Sequence, residues 1–201
     1  MLKKAVLLLS LFVALSLGAG TADNSSTIRS LAQSIGTSNL SQSASRSVSR
    51  HMESIRKKFE EKGLVTQAVR NNEVIKITIP ASDLFGPNET MLKAGADKIL
   101  GYFRQAVNHP ESYRILVAVY ADDTGDAQYS TALTKERAMN VAASLRRLAT
   151  SQNTKPNIDY YWFGNTEFAV PNTTMTNRAK NRRVEIYLVP EKHIIEASRA
   201  S

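Results

Sequence analysis

Asp122 and Asp123 are adjacent carboxylates, followed at once by Thr124 and the turn-forming Gly125. Two carboxylates can act as acid and base on a glycosidic bond, but neighbours on a turn point apart, and no other motif supports hydrolysis. The more informative group is Arg137. At 100° per residue Leu133, Val141, Leu145 and Leu148 fall within one arc about 120° wide, and Arg137 projects inside it, whereas Lys135, Glu136, Arg146 and Arg147 fall outside. A guanidinium keeps its proton, so burying it is costly unless an anion and hydrogen-bond acceptors receive it. Asp122 is the nearest candidate anion. Two arrangements follow from this: a closed Asp122–Arg137 pair that pins strand to helix, or two open groups at a pocket mouth gripping a ligand with one positive and one negative charge.

These side chains need a strand, a turn and a helix to hold them. Arg114 to Tyr120 is a β-branched and apolar run that predicts a buried strand, and helical spacing returns from about Asp126 to Leu148, with Ala138 and Ala142 widening the apolar side. Upstream, Leu64 to Arg70 and Val74 to Ile79 flank the turn-prone Asn71-Asn72 and predict a hairpin that Pro80 ends. In the loop that follows, Leu84 and Phe85 cover the core while Gly86, Pro87 and Asn88 turn the chain. Met91 to Val107 reads as one amphipathic helix, closed by Asn108-His109-Pro110. Downstream, Ile158 to Phe163 is an aromatic strand in which at most one or two rings are free to stack on a ligand. Arg182 to Val189 is a final strand entered through a basic patch, Asn181-Arg182-Arg183, and the chain after Pro190 is a frayed tail. The order predicts an α/β (α+β) sandwich, βαβαββ with a hairpin partner in front: two main helices on one mixed sheet, preceded by an amphipathic helix. One face of that sheet must stay wet or be covered by the N-terminal segment.

The rest of the chain narrows the partner. Lys and Arg number 26 against 18 Asp and Glu, a net charge of +8 that suits nucleic acid, a lipid surface or a carboxylate-rich polymer. Residues 1–22 have the pattern of a secretory signal peptide: Lys3 and Lys4, an apolar run from Ala5 to Leu17 too short to span a bilayer, then small residues. Export argues against nucleic acid. With no cysteine, the chain has neither disulfides nor a thiol to carry the lipid of a bacterial lipoprotein. Residues 23–44 read as a Ser/Thr-rich linker, and residues 45–63 as an amphipathic helix with Val48, Met52, Ile55 and Phe59 on one stripe. That stripe packs on the domain or, in the sharper reading, meets a second copy or an envelope partner. His51, His109 and His193 lie in separate segments without metal-ligand spacing and are assigned to the surface. No nucleophile elbow, phosphate-binding glycine loop or metal cluster is present, and no cofactor is implied.

Several ordered motifs then resemble one family. Ala-Asp-Asp-Thr-Gly at 121–125, Leu-Thr-x-x-Arg-Ala at 133–138, Gly164 with Pro171, and Asn-Arg-Ala-Lys-Asn-Arg-Arg-Val-Glu-Ile at 177–186 are similar to the OmpA-like C-terminal domain over residues 64–190. The resemblance implies a non-catalytic periplasmic protein of a Gram-negative envelope, associated with the outer membrane, that binds peptidoglycan through the diaminopimelate of the stem peptide. It assigns Asp122 to the ligand's ammonium, Arg137 to its carboxylate, Asn88 to a loop contact and Thr124 to the turn that lends backbone donors, with Ser130 standing where the family has an asparagine. Ala121 and Ser130 lack a hydroxyl and an amide that the family carries, at about 0.5 to 1.5 kcal/mol per lost hydrogen bond. Those departures predict weaker binding or a shifted stem-peptide preference. An envelope assembly protein that keeps the fold without the ligand is the alternative.

Overall fold

The computed structural model describes residues 40–150 and 155–199. The expected signal peptide, and all but the last few residues of the expected linker, lie outside these. Helix α1 (Gln42–Glu60) is capped by the Ser41 hydroxyl, which accepts from Ala44 N at 3.3 Å. It leads through Gly63, at φ +79°, into the hairpin β1 (Val65–Val69) and β2 (Val74–Pro80). Arg70, Asn71 and Asn72 all take positive φ at the hairpin turn, where two asparagines tolerate the left-handed region. A short helix α2 (Ala81–Leu84) follows, then α3 (Ala96–Gly101), α4 (Arg104–Val107), β3 (Tyr113–Tyr120), α5 (Ala127–Arg146), β4 (Ile158–Trp162), α6 (Met175–Asn181), β5 (Arg183–Pro190) and α7 (Lys192–Arg199).

The five strands form one mixed sheet in the order β1-β2-β5-β3-β4, antiparallel except for the β3–β4 pair. The α/β architecture read from the sequence is therefore the observed one. Alternate residues divide the sheet cleanly, as the pleat requires. Ile115, Val117 and Val119 of β3 join Ile75, Ile77 and Ile79 of β2 and Ile186 and Leu188 of β5 in a core closed by Leu100, Phe103, Ala138, Val141, Ala142 and Leu145. Leu116, Ala118 and Tyr120 join Tyr161, Phe163 and Val189 on the reverse face.

The stripe of α1 (Val48, Met52, Ile55, Phe59) is buried in the helical-side core, with Phe59 and Phe103 rings 4.9 Å apart. This helix adds to the layer that α3, α4 and α5 already form, so its apolar side is consumed within the fold, and only its polar side remains for another molecule. The reverse face is instead closed by large side chains and a buried ion pair. Arg183 donates to Glu185 at 2.8 Å, Tyr187 donates to the same carboxylate at 2.7 Å, and the Arg183 guanidinium lies 3.8 Å from the Tyr120 ring centre.

Three expectations are corrected. The helix foreseen over 91–107 is two short helices separated at Tyr102–Phe103, and it starts only at Ala96. Gly95 at φ +91° sets that start, while Leu92 is drawn into a bridge with Phe85. The chain beyond Pro190 is not frayed: α7 buries Ile194, Ile195 and Ser198. The foreseen basic patch does not form either. Asn181 and Arg183 are buried, and Arg182 is paired with a carboxylate.

Candidate functional site

β2 and β3 end, and β5 begins, at one edge of the sheet, where Arg183 pairs with both Pro80 and Tyr120. The backbone continues that pairing, since Ala81 N donates to the Arg182 carbonyl at 2.9 Å. Three chain segments thus meet at one point: the 81–93 loop, the 121–126 turn, and the junction of α6 and β5. Between them and α5 opens a cleft of about 820 Å³. Asn88, Asp122, Thr124, Ser130 and Arg137 all line it, together with Phe85, Gly86, Lys93, Tyr129 and Arg182. The five residues singled out from sequence therefore share one cavity.

The local sequence explains each position. Asp126 caps α5, accepting from Tyr129 N at 2.8 Å, and Gly125 at φ +86° lets the chain reverse just before it. The Asp122 carboxylate folds back over this turn and accepts from Thr124 N at 3.0 Å. Its other oxygen pairs with the Arg182 guanidinium, and the aspartate is 3% exposed while the arginine side chain is about half exposed. Asp123 points outward to a surface pair with Arg178 at 2.8 Å, so the two adjacent carboxylates do diverge.

Arg137 faces inward, as its place in the apolar arc predicts, and is 6% exposed. Its partner is neither Asp122 nor any other carboxylate within ion-pair distance among the described residues. Backbone carbonyls hold it instead: Nε donates to Glu89 O at 2.7 Å and Nη2 to Gly86 O at 3.2 Å, with the guanidinium 4.7 Å from the Phe85 ring centre. Burial pushes its pKa down, the neighbouring Arg182 adds to that, and Tyr129 and Glu89 oppose it. The 86–89 segment is shaped to supply these carbonyls. Asn88 sits at φ +57°, and a side chain at Gly86 would collide with the Glu89 carboxylate.

Behind the cleft, Thr134 ties α5 to the strand ends. Its hydroxyl donates to Ser130 O at 2.8 Å and accepts from Gly164 N at 3.0 Å, while Gly164 O accepts from Ala121 N at 2.8 Å. Asn181 performs the same service for the 165–174 loop, accepting from Ala169 N and Val170 N and donating to Val170 O and Asn172 Oδ1. The cleft therefore presents a buried carboxylate, a buried guanidinium whose Nη1 makes no hydrogen bond among the described residues, and loop polar groups. No group of three or more potential metal ligands occurs among the described residues.

Arg182, Phe85 and the carbonyls of Gly86 and Glu89 were not foreseen as site components. Arg182 was visible only as one of a basic run, and a backbone carbonyl leaves no mark in side-chain composition. Tyr160 and Trp162 are not on the cleft; they lie under Arg146 and Lys135 respectively, on the edge strand.

The architecture is thus a mixed sheet with its helices on one face and a charged cleft at the strand ends. Residues 84–182 match the OmpA family, and this part of the chain is an OmpA-family domain. A MotB-like protein from Desulfovibrio vulgaris is similar at 26% identity, with a TM-score of 0.59, covering 75% of this chain and 93% of its own. The cell wall anchor of the T6SS from Pseudomonas aeruginosa (22%, TM-score 0.55, covering 67% and 93%) and the periplasmic domain of Helicobacter pylori MotB (20%, TM-score 0.54, covering 69% and 88%) share the fold. No curated protein matches the chain in sequence.

Proposed function

We propose that this protein is a non-catalytic, periplasmic peptidoglycan-binding anchor of the cell envelope, and that its cleft grips the diaminopimelate of the stem peptide. The observation that carries this reading is Arg137: a buried guanidinium held by two carbonyls, lining the cleft, and lacking a carboxylate partner among the described residues. A fixed arginine of this kind suits a ligand carboxylate, which it can hold bidentately. Asp122 takes the ligand's ammonium beside it, and Asn88, Thr124 and Ser130 add polar contacts from the rim and floor. Membership of the OmpA family supports the reading. In this account an export signal at residues 1–22 delivers the protein, and nucleic acid is not a partner.

The purified protein should co-sediment with diaminopimelate-type sacculi, and Arg137→Ala and Asp122→Ala should each remove it from the pellet while leaving its circular dichroism unchanged. Pelleting that survives both substitutions would reject the site. The alternative, an envelope assembly protein that retains the fold alone, draws on the Arg182–Asp122 pair, which occupies one oxygen of the carboxylate. It predicts no pelleting by the unsubstituted protein.

A further inference from the structure

The charges around the cleft do not balance for a ligand with one ammonium and one carboxylate. Lys93, Arg137 and Arg182 line it against Asp122 alone, and Asp122 is already matched by Arg182. The nearby Asp123 is taken up by Arg178, and the Glu89 carboxylate lies against the Gly86 backbone. The cleft lining thus carries more cationic than anionic side chains, an excess that a ligand anion can meet. Resting on the peptidoglycan reading above, we propose that Arg182 is a second anion contact, so that the site selects a stem peptide presenting a further free carboxylate beyond the one held by Arg137.

The geometry of Arg182 fits this role. Its backbone is fixed at the start of β5, where its carbonyl accepts from Ala81 N at 2.9 Å and its own N–H donates to Arg178 O at 3.0 Å. One terminal nitrogen, Nη1, holds Asp122, and the residue lines the cleft. Nε and Nη2 make no hydrogen bond among the described residues, and the side chain remains about half exposed. A guanidinium has five donors in a rigid fork, so it can keep Asp122 and accept a second carboxylate on its open edge. Lys93, whose ammonium donates to Ser82 O, stands on the same cleft and adds attraction without fixing geometry. Amidation of that ligand carboxylate removes the charge and replaces an acceptor oxygen with a donor NH2 facing a donor.

The test is calorimetric titration of the full chain with the tripeptide L-alanyl-γ-D-glutamyl-diaminopimelate and with each of its monoamides, repeated for Arg182→Ala and Arg182→Gln. The unsubstituted protein should bind the tripeptide and bind one monoamide about tenfold more weakly. Both variants should lose about tenfold on the tripeptide and nothing further on that monoamide, because the partner is already gone. Equal loss on every ligand would mean that Arg182 only positions Asp122, and tighter binding by the variants would mean that it merely competes with the ammonium; either overturns the proposal. Normal tripeptide binding with no effect of substitution overturns it while leaving the peptidoglycan reading standing. No binding by the unsubstituted protein overturns both.

Discussion

Replacing Arg137 with methionine separates a ligand-binding arginine from a structural one. Methionine keeps an unbranched chain against Phe85, where sulfur–aromatic contact recovers part of the stacking at about 0.3 to 1.5 kcal/mol. The loss is two hydrogen bonds from a charged donor, to Glu89 O at 2.7 Å and Gly86 O at 3.2 Å, worth about 1.5 to 3 kcal/mol each before desolvation. Against this stands the cost of holding an arginine at 6% exposure, several kcal/mol for an ion without a counter-charge, a cost whose sign is visible in the lowered pKa. Because the two carbonyls border an open cleft that water can enter, the net change is about 0 to 2 kcal/mol. For a domain of this size that is a fall in Tm below about 8 °C. Binding tells a different story. Leaving a ligand carboxylate unpaired in the cleft costs about 2 to 5 kcal/mol, or roughly 30-fold to several thousand-fold in Kd. Thermal unfolding and tripeptide titration on one preparation check both halves. A variant that unfolds at room temperature, or that stays folded and binds within threefold of the original, would refute the assignment.

Other substitutions probe the frame that holds the cleft. Gly164→Ala should cost more than Gly125→Ala, as read by urea denaturation. Both have positive φ, at about 1 to 2 kcal/mol for an L-residue, but a Cβ at Gly164 would stand 2.9 Å from Thr131 Oγ1 and 3.2 Å from Thr131 N, whereas at Gly125 it would meet only the Tyr129 ring at 3.5 Å. Asn181→Ala strands the N–H groups of Ala169 and Val170 and the Val170 carbonyl, and should lose about 2 to 4 kcal/mol in the same assay, at about 1 to 3 kcal/mol for each group that stays dry. Glu185 gives a pH signature. Burial raises its pKa, but Arg183, Tyr187 and Lys76 outweigh burial and leave it below the ordinary carboxylate value. A depressed folded pKa means stability that is present above the unfolded pKa, about 4.3, and lost as pH falls through the folded one. Glu185→Gln should therefore be less stable at neutral pH, and the difference should shrink below about pH 4.

What could be read from the chain alone follows the range of the interactions involved. Arg137 was legible because helical periodicity assigns a direction to every side chain of α5, and the strand-turn-helix around Asp122 is written in consecutive residues. The expected anion is not found beside Arg137 among the described residues: the carbonyls of Glu89 and Gly86 receive it, and Asp122 pairs with Arg182 instead. Arg182 reaches that carboxylate across 60 positions of sequence, and only the β2–β5–β3 pairing brings them together. The break between α3 and α4 was hidden because Ile99, Leu100, Phe103 and Ala106 keep helical spacing across it. Helix α7 was missed because eight residues show too few turns to declare a period, although the helix packs on α1 and Ile194 joins the core that holds the α1 stripe.

The central claim, that this cleft receives diaminopimelate, is tested most directly by titrating free diaminopimelate into the isotopically labelled protein and following backbone amide resonances. Saturable shifts confined to Gly86, Asn88, Glu89, Thr124, Gly125 and Ser130, abolished by Arg137→Met, are the predicted result. Unmoved resonances in those three segments at millimolar ligand, or shifts that persist in Arg137→Met, would contradict it.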